Sequence, residues 1–349
     1  GGRTPQLLPA STHPQLDCVM CHESGAGAGA AGPSADVCLS CHEGVSSEAE
    51  SVHAPVMMGD CLSCHDPHAS NHAPLLTGKQ KALCGDCHGE VKAAMEGPHL
   101  HAAAEECTSC HAGHQSDHAS LLIDESRALC VTCHPDPMAA ESTSVHPPSM
   151  GDCVSCHEPH ASGRRGLLVA RQDELCGECH PEVGARSGLP VIHQPVSAGE
   201  CTGCHEPHAG PEKLLRASGQ ELCRDCHEGT MAEAETATQH QPFAAGSCLT
   251  CHAPHASGHA GLMADDPLMV CGTCHDVTTA EPKGGSDHPP VRDGRCVECH
   301  TPHAGALDHF LRAPEKALCG SCHEDLSHRL QVEAAHAPVE SRNGCTTCH

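Results

Sequence analysis

Aromatic residues are almost missing from this chain. It has no Trp, no Tyr and only Phe243 and Phe310. Aromatic and branched aliphatic side chains supply most of the apolar area that a domain buries, so 349 residues of this composition cannot build an ordinary core. Basic residues are scarce as well: 19 Lys and Arg stand against 45 Asp and Glu, a formal charge of −26. That balance excludes the basic surface on which nucleic-acid binding depends. No apolar run approaches the ~18 residues of a membrane-spanning helix. The chain starts Gly1-Gly2-Arg3 without Met, as a mature chain freed of a signal peptide would start, and as a truncated one would too. With 34 Gly and 27 Pro, such a polypeptide would by itself be disordered. Something other than its side chains must supply the apolar interior.

Cysteine and histidine are abundant instead, with 30 Cys and 35 His. The pattern C-x-x-C-H accounts for every cysteine. Its members are Cys18, Cys21 and His22; Cys38, Cys41 and His42; Cys61, Cys64 and His65; Cys84, Cys87 and His88; Cys107, Cys110 and His111; Cys130, Cys133 and His134; Cys153, Cys156 and His157; Cys176, Cys179 and His180. They continue with Cys201, Cys204 and His205; Cys223, Cys226 and His227; Cys248, Cys251 and His252; Cys271, Cys274 and His275; Cys296, Cys299 and His300; Cys319, Cys322 and His323; and Cys345, Cys348 and His349. A zinc knuckle, a disulfide or a redox dithiol would explain C-x-x-C, but none of them needs the following His. With His at about one position in ten, fifteen matches out of fifteen are not coincidence. C-x-x-C-H is the attachment signature of c-type haem, with two thioethers fixing the porphyrin and the histidine ligating iron. Fifteen covalent haems and their iron are therefore expected, and haem is the missing core.

The repeat is two motifs long. Residues 1–52 hold a divergent first unit, with a Gly/Ala-rich middle from Gly25 to Gly32. Residues 53–335 hold six copies, and 336–349 a half-copy, all within one repeat-built domain. A copy opens with a histidine, reaches its first motif, passes through Pro-His (Gly-His in the copy with His114) and an apolar pair such as Leu75-Leu76, and closes on its second motif. Segments such as 78–87 and 313–322 are expected as short helices. The other links are Pro- and Gly-rich loops, and no alternating strand pattern is visible.

Two sets of histidine recur outside the motifs. His13, His53, His99, His146, His193, His240, His288 and His336 precede a first motif; His68, His114, His160, His208, His255 and His303 follow one. A lone polar His in a loop is ordinarily solvated. Here the position repeats while its neighbours vary, so these fourteen are expected to be the distal iron ligands, leaving each iron six-coordinate and without an open position for substrate. His65 and His68 lie three residues apart, a reach of at most about 10 Å, too short to span one haem from face to face. They should serve different haems. Fourteen candidates for fifteen haems leave a shortfall, assigned to the first unit because it lacks Pro-His. A spare histidine (His72, His101, His118, His259, His309 or His328) or a neighbouring subunit would fill it, or one terminal haem is open; His101, two residues from His99, is also an alternative to His99 itself, and the N-terminal end becomes the expected place of contact with a neighbour. Met58 and Met150 precede a motif by three residues, but the other copies lack Met there, so packing against haem is the better reading.

The motif pairs joined by Pro-His and an apolar pair resemble the doubled C-x-x-C-H family of multihaem c-type cytochromes over nearly the whole chain, with the unit before His53 departing from it. The resemblance implies irregular coil and short helices wrapped around a continuous haem chain, with almost no β-sheet. It also implies haem attachment after export, and electron carriage across the periplasm, through porins or along extracellular filaments. One haem per about 23 residues favours an electron conduit. Haem near both ends of the chain suits head-to-tail self-association into an extracellular filament; a soluble or porin-associated periplasmic carrier is the alternative. Redox proteins or extracellular acceptors are the expected partners. A multihaem reductase is the less favoured class, since every motif ends in His and the twenty histidines outside the motifs outnumber the fifteen haems. Haem storage would be told apart by sluggish oxidation and reduction.

Overall fold

The computed structural model describes residues 13, 16–22, 33–44, 48–136, 142–183, 188–235, 237–277 and 288–325. The chain divides into two compact units, Gly1–Arg171 and Gln172–His349, with the boundary inside the repeat that opens at His146. Each unit is coil punctuated by short helices and two-residue strands. The longest helix among the described residues, Glu228–Glu235, has only 8 residues.

One repeat shows how the sequence dictates this. Pro55 sits in the first turn of the helix Ala54–Met57, where its missing N–H costs nothing. The helix stops at once because Gly59 turns left-handed, with φ +72°. The motif itself is a single tight turn, Cys61–Ser63, closed by the His65 N–H on the Cys61 carbonyl at 3.0 Å. Residues at i, i+3 and i+4 of such a turn share a face, so the spacing C-x-x-C-H presents both thiols and the imidazole together. A loop then leads to the helix Gln80–Gly85, which carries Cys84 of the second motif. Its counterpart Glu315–Gly320 carries Cys319, and both lie inside the segments expected to be helical.

Adjacent repeats are stitched by two-residue antiparallel ladders. In the first unit Ser51–Val52 pairs with Gln115–Ser116, and His99–Leu100 with Ala161–Ser162. In the second, Val191–Ile192 pairs with Ala256–Ser257, and Thr238–Gln239 with Ala304–Gly305. Each ladder joins the opening of one repeat to the residues just after the Pro-His (or Gly-His) element of the next. Strands of two residues carry no alternation, which is why no periodic pattern in the sequence marks them.

Side chains alone make little core. Among the described residues no side chain is fully buried. The one buried cluster is small: Met231, Ala234 and Phe243, with Cys223 and Ala304 packed on its margin in the second unit. Met58 and Met150 are 75% and 56% exposed, so neither packs in a protein interior.

Candidate functional site

The ladders decide which histidines meet. A metal–imidazole bond is about 2 Å long and the ring centre lies about 1 Å behind the ligating nitrogen. Two imidazoles on opposite faces of one iron therefore set their centroids about 6 Å apart. The structure holds histidine rings at that separation, repeat after repeat. Second-motif histidines face the histidine that opens their own repeat: His88 with His53 at 6.0 Å, His134 with His101 at 5.9 Å, His227 with His193 at 6.1 Å, His275 with His240 at 5.8 Å and His323 with His288 at 6.3 Å. First-motif histidines face the Pro-His (or Gly-His) histidine of the next repeat: His65 with His114 at 5.9 Å, His111 with His160 at 6.0 Å, His205 with His255 at 5.9 Å and His252 with His303 at 6.0 Å. In the divergent first unit His42 faces His13 at 5.9 Å and His22 faces His68 at 6.0 Å. His146, His157, His180 and His208 occupy the equivalent places of their repeats.

His65 and His68 thus have different ring partners, and His22, His65, His111, His205 and His252 all look forward along the chain. Two placements differ from the sequence reading. His101, not His99, faces His134. His99 has the spacing to its motif seen in most copies, eight residues, but it lies inside the ladder His99–Leu100. In the ladders that hold them, His53, His101, His193 and His240 are each the first residue after the strand, and the turn Ala102–Glu105 that follows His101 reaches Cys107 without the Gly that lengthens other copies. The dipeptide before the histidine, not the distance after it, was the signal to follow. The second difference is the shortfall. It does not fall in the first unit, because His68 of the next repeat faces His22. Among the described residues, His300 is the first-motif histidine with no ring opposite it. His328, His336, Cys345, Cys348 and His349 lie outside the described residues, as does the side chain of Cys18.

Eight of the facing pairs have one ring fixed through Nδ1, whereas in the pair His13–His42 the Nδ1 of His13 is buried without a hydrogen-bond partner among the described residues. In second-motif pairs the fixed ring is the opening histidine. His53 Nδ1 lies 3.0 Å from the Gly113 carbonyl, His101 2.9 Å from Pro159, His193 2.9 Å from Pro254 and His240 3.0 Å from Pro302. The backbone N–H of each donates one residue further on, His53 to the His114 carbonyl at 2.8 Å and His240 to His303 at 2.9 Å. In first-motif pairs it is the motif histidine. Nδ1 of His65, His111, His157, His205, His252 and His300 meets the carbonyl of Pro74, Ser120, Gly166, Lys213, Gly261 and His309 at 2.7–3.2 Å. A carbonyl on Nδ1 fixes the tautomer and leaves Nε2 free to ligate. Burial, and then the neighbouring histidines, push His114, His160, His255 and His303 below the usual imidazole range, which keeps them neutral. Phe243 packs on His303 at 5.1 Å, so a scarce aromatic is spent beside an imidazole.

The thiols follow the chain order. Burial first, and then the neighbouring thiol, push Cys84 up to about 11 beside Cys107, and Cys223 and Cys271 up to about 11 beside Cys248 and Cys296. Cys64 in turn lies near Cys87, and Cys251 near Cys274. Consecutive motifs are therefore spatial neighbours within each unit. Gln80 clamps one such junction. Its side chain donates to Thr108 Oγ1 and accepts from the Thr108 N–H, both at 2.9 Å. Gln172 and Thr202 repeat the clamp at 3.0 Å.

Among the described residues no group of three or more His, Cys, Asp or Glu converges as a zinc site requires. The geometry is that of opposed imidazole pairs beside paired thiols. The doubled CXXCH motif family matches residues 53–93, 99–139, 146–185, 193–232, 240–280 and 288–328, well over half of the chain. The chain belongs to that family. Curated proteins gave no match. As a doubled CXXCH protein it is a multihaem c-type cytochrome: its motifs bind haem c covalently, with iron, and serve electron transfer. No helix among the described residues is long and apolar enough to cross a membrane.

Proposed function

We propose that the chain carries fifteen haems, one per C-x-x-C-H motif, most of them held between two histidines, and that it moves electrons along them in motif order without catalysing a substrate reaction. The observation that carries this is the row of facing imidazoles at 5.8–6.3 Å. Ligation by two imidazoles leaves no coordination position for a substrate, and it favours a low potential. In each facing pair the motif histidine is the proximal ligand. The distal ligands are His13, His53, His68, His101, His114, His160, His193, His240, His255, His288 and His303, with His146 and His208 at the equivalent repeat positions. The protein's part is to fix both rings of a pair and to seat consecutive motifs side by side.

The fitting role is an extracellular conduit that associates head to tail into a filament, handing electrons to redox proteins or extracellular acceptors. Export is a requirement of the family's haem chemistry, and the charge of −26, deepened by haem propionates, suits a basic or mineral partner surface. A periplasmic carrier uses the same electron path, and the assembly state separates the two. Negative-stain images of concentrated holoprotein are expected to show filaments; monodisperse particles would leave the periplasmic carrier standing. Haem mass by intact-protein spectrometry checks the count, and a potentiometric titration with low-spin spectra throughout checks the ligation. A substantial high-spin fraction, together with turnover of nitrite or hydroxylamine, would replace the conduit by an enzyme.

A further inference from the structure

The backbone is strained at one repeated place that electron transfer, as described so far, does not use. Five repeats place two consecutive residues in the left-handed region just after the Pro-His (or Gly-His) loop. Ser120 and Leu121 have φ +57° and +58°, and Gly261 and Leu262 have +67° and +55°. For residues with a Cβ this conformation is strained, and it persists only where the surroundings impose it. Glycine occupies the first position in two repeats, but the second is Leu or Phe throughout. A free choice of sequence would have relieved that strain.

The turn aims two carbonyls. The Ser120 carbonyl accepts from His111 Nδ1 at 2.9 Å, and the Leu121 carbonyl accepts from the Ala112 N–H at 2.7 Å. The Gly261 and Leu262 carbonyls do the same for His252 and Ala253, at 3.0 and 2.8 Å. The strained residues touch the ring that ligates iron on its far nitrogen, and they fix the residue beside it.

We propose that this left-handed turn is a positioning device for the first-motif histidine, holding a carbonyl on its Nδ1 so that the ring becomes a more electron-rich ligand and the haem of that motif is held at a lower potential. This rests on the ligation described under the proposed function. A carbonyl on the outer nitrogen raises the basicity of an imidazole ligand, and a more basic ligand stabilises ferric iron over ferrous. Second-motif haems receive the same treatment on their other face, through the carbonyls that meet His53 and His101. A turn that merely reversed the chain would have no reason to recur at the same acceptor carbonyl.

The test uses full-length holoprotein. Ser120 is exposed, so substitution there disturbs little packing. Ser120→Val disfavours the left-handed conformation, whereas Ser120→Gly permits it; Gly261→Val and Gly261→Ala repeat the comparison at a second haem. The expected result is that each Val variant moves one haem's share of the titration to higher potential while covalent haem mass and low-spin spectra stay as in the wild type. Gly261→Ala should shift less, and Ser120→Gly not at all. Val variants that keep every haem and titrate like the wild type would overturn the proposal and leave the conduit intact. Loss of the one haem, with no shift in Gly261→Ala, would also overturn it, because the turn would then serve attachment. Wild-type protein lacking low-spin haem would overturn both.

Discussion

Single residues decide which haem is closed by which histidine. His101→Ala should convert one haem to a high-spin form that binds carbon monoxide, whereas His99→Ala should leave the ligand-binding fraction unchanged. The reverse result would restore His99 as the distal ligand. Ownership across repeats is tested with His255→Ala. Because His255 faces His205, the open haem should be the one attached at Cys201 and Cys204, a whole repeat upstream of the Pro-His that closes it. Adding Cys201→Ala and Cys204→Ala should then abolish carbon monoxide binding. Adding Cys248→Ala and Cys251→Ala should not, although that motif is the nearer one in sequence. The proximal histidines and thioether cysteines were legible in the sequence because five consecutive residues encode them. His101 stood only as an alternative to His99 because two histidines two residues apart satisfy the same pattern, and the ladder with Ala161–Ser162, far along the chain, tells them apart.

Short elements act here as spacers and clamps more than as structure. The helix Gln172–Gly177 is anchored across a motif junction by the two hydrogen bonds between Gln172 and Thr202. Gln172→Ala loses both and should lower stability by about 1–2 kcal/mol. The expected readout is a lower thermal midpoint with every haem retained, and an unchanged midpoint would mean the clamp contributes nothing. Gly199 ends another short helix at φ +74°, and a Cβ there would meet Asp173 Oδ1 at 3.0 Å. Gly199→Ala should therefore cost at least the ~1 kcal/mol of a left-handed alanine, again read as a thermal shift. The helices leading into second motifs could be anticipated from their Lys, Glu, Ala and Leu content. The two-residue ladders and the left-handed turns could not. A strand of two residues has no period, and the turns put Leu, Ser and Lys where glycine is the usual mark. Tertiary contacts impose those conformations, so local sequence does not announce them.

At the scale of the molecule, the chain is a wrapping whose interior is the cofactor. Among the described residues few side chains are buried and the one cluster they form, around Phe243, is small, so removing haem should leave little to hold the fold. Apoprotein from variants lacking the motif cysteines should give a coil-like far-ultraviolet spectrum with no cooperative melt. A cooperative transition would contradict the reading of haem as the core. The coil-rich, haem-centred architecture followed from composition, since a chain with two aromatics and thirty cysteines has no other way to exclude water. The order of the sites did not follow from it, because it depends on which repeat lends a histidine to which. That lending rule is the central claim: within each unit the first-motif haems of His22, His65, His111, His205 and His252 are closed by the repeat after them, so a repeat completes the one before. A map of the holoprotein at side-chain resolution tests it most directly. The account predicts one iron between His65 and His114, another between His22 and His68, and so on forward along the chain. Finding His65 and His68 on the same iron would contradict it.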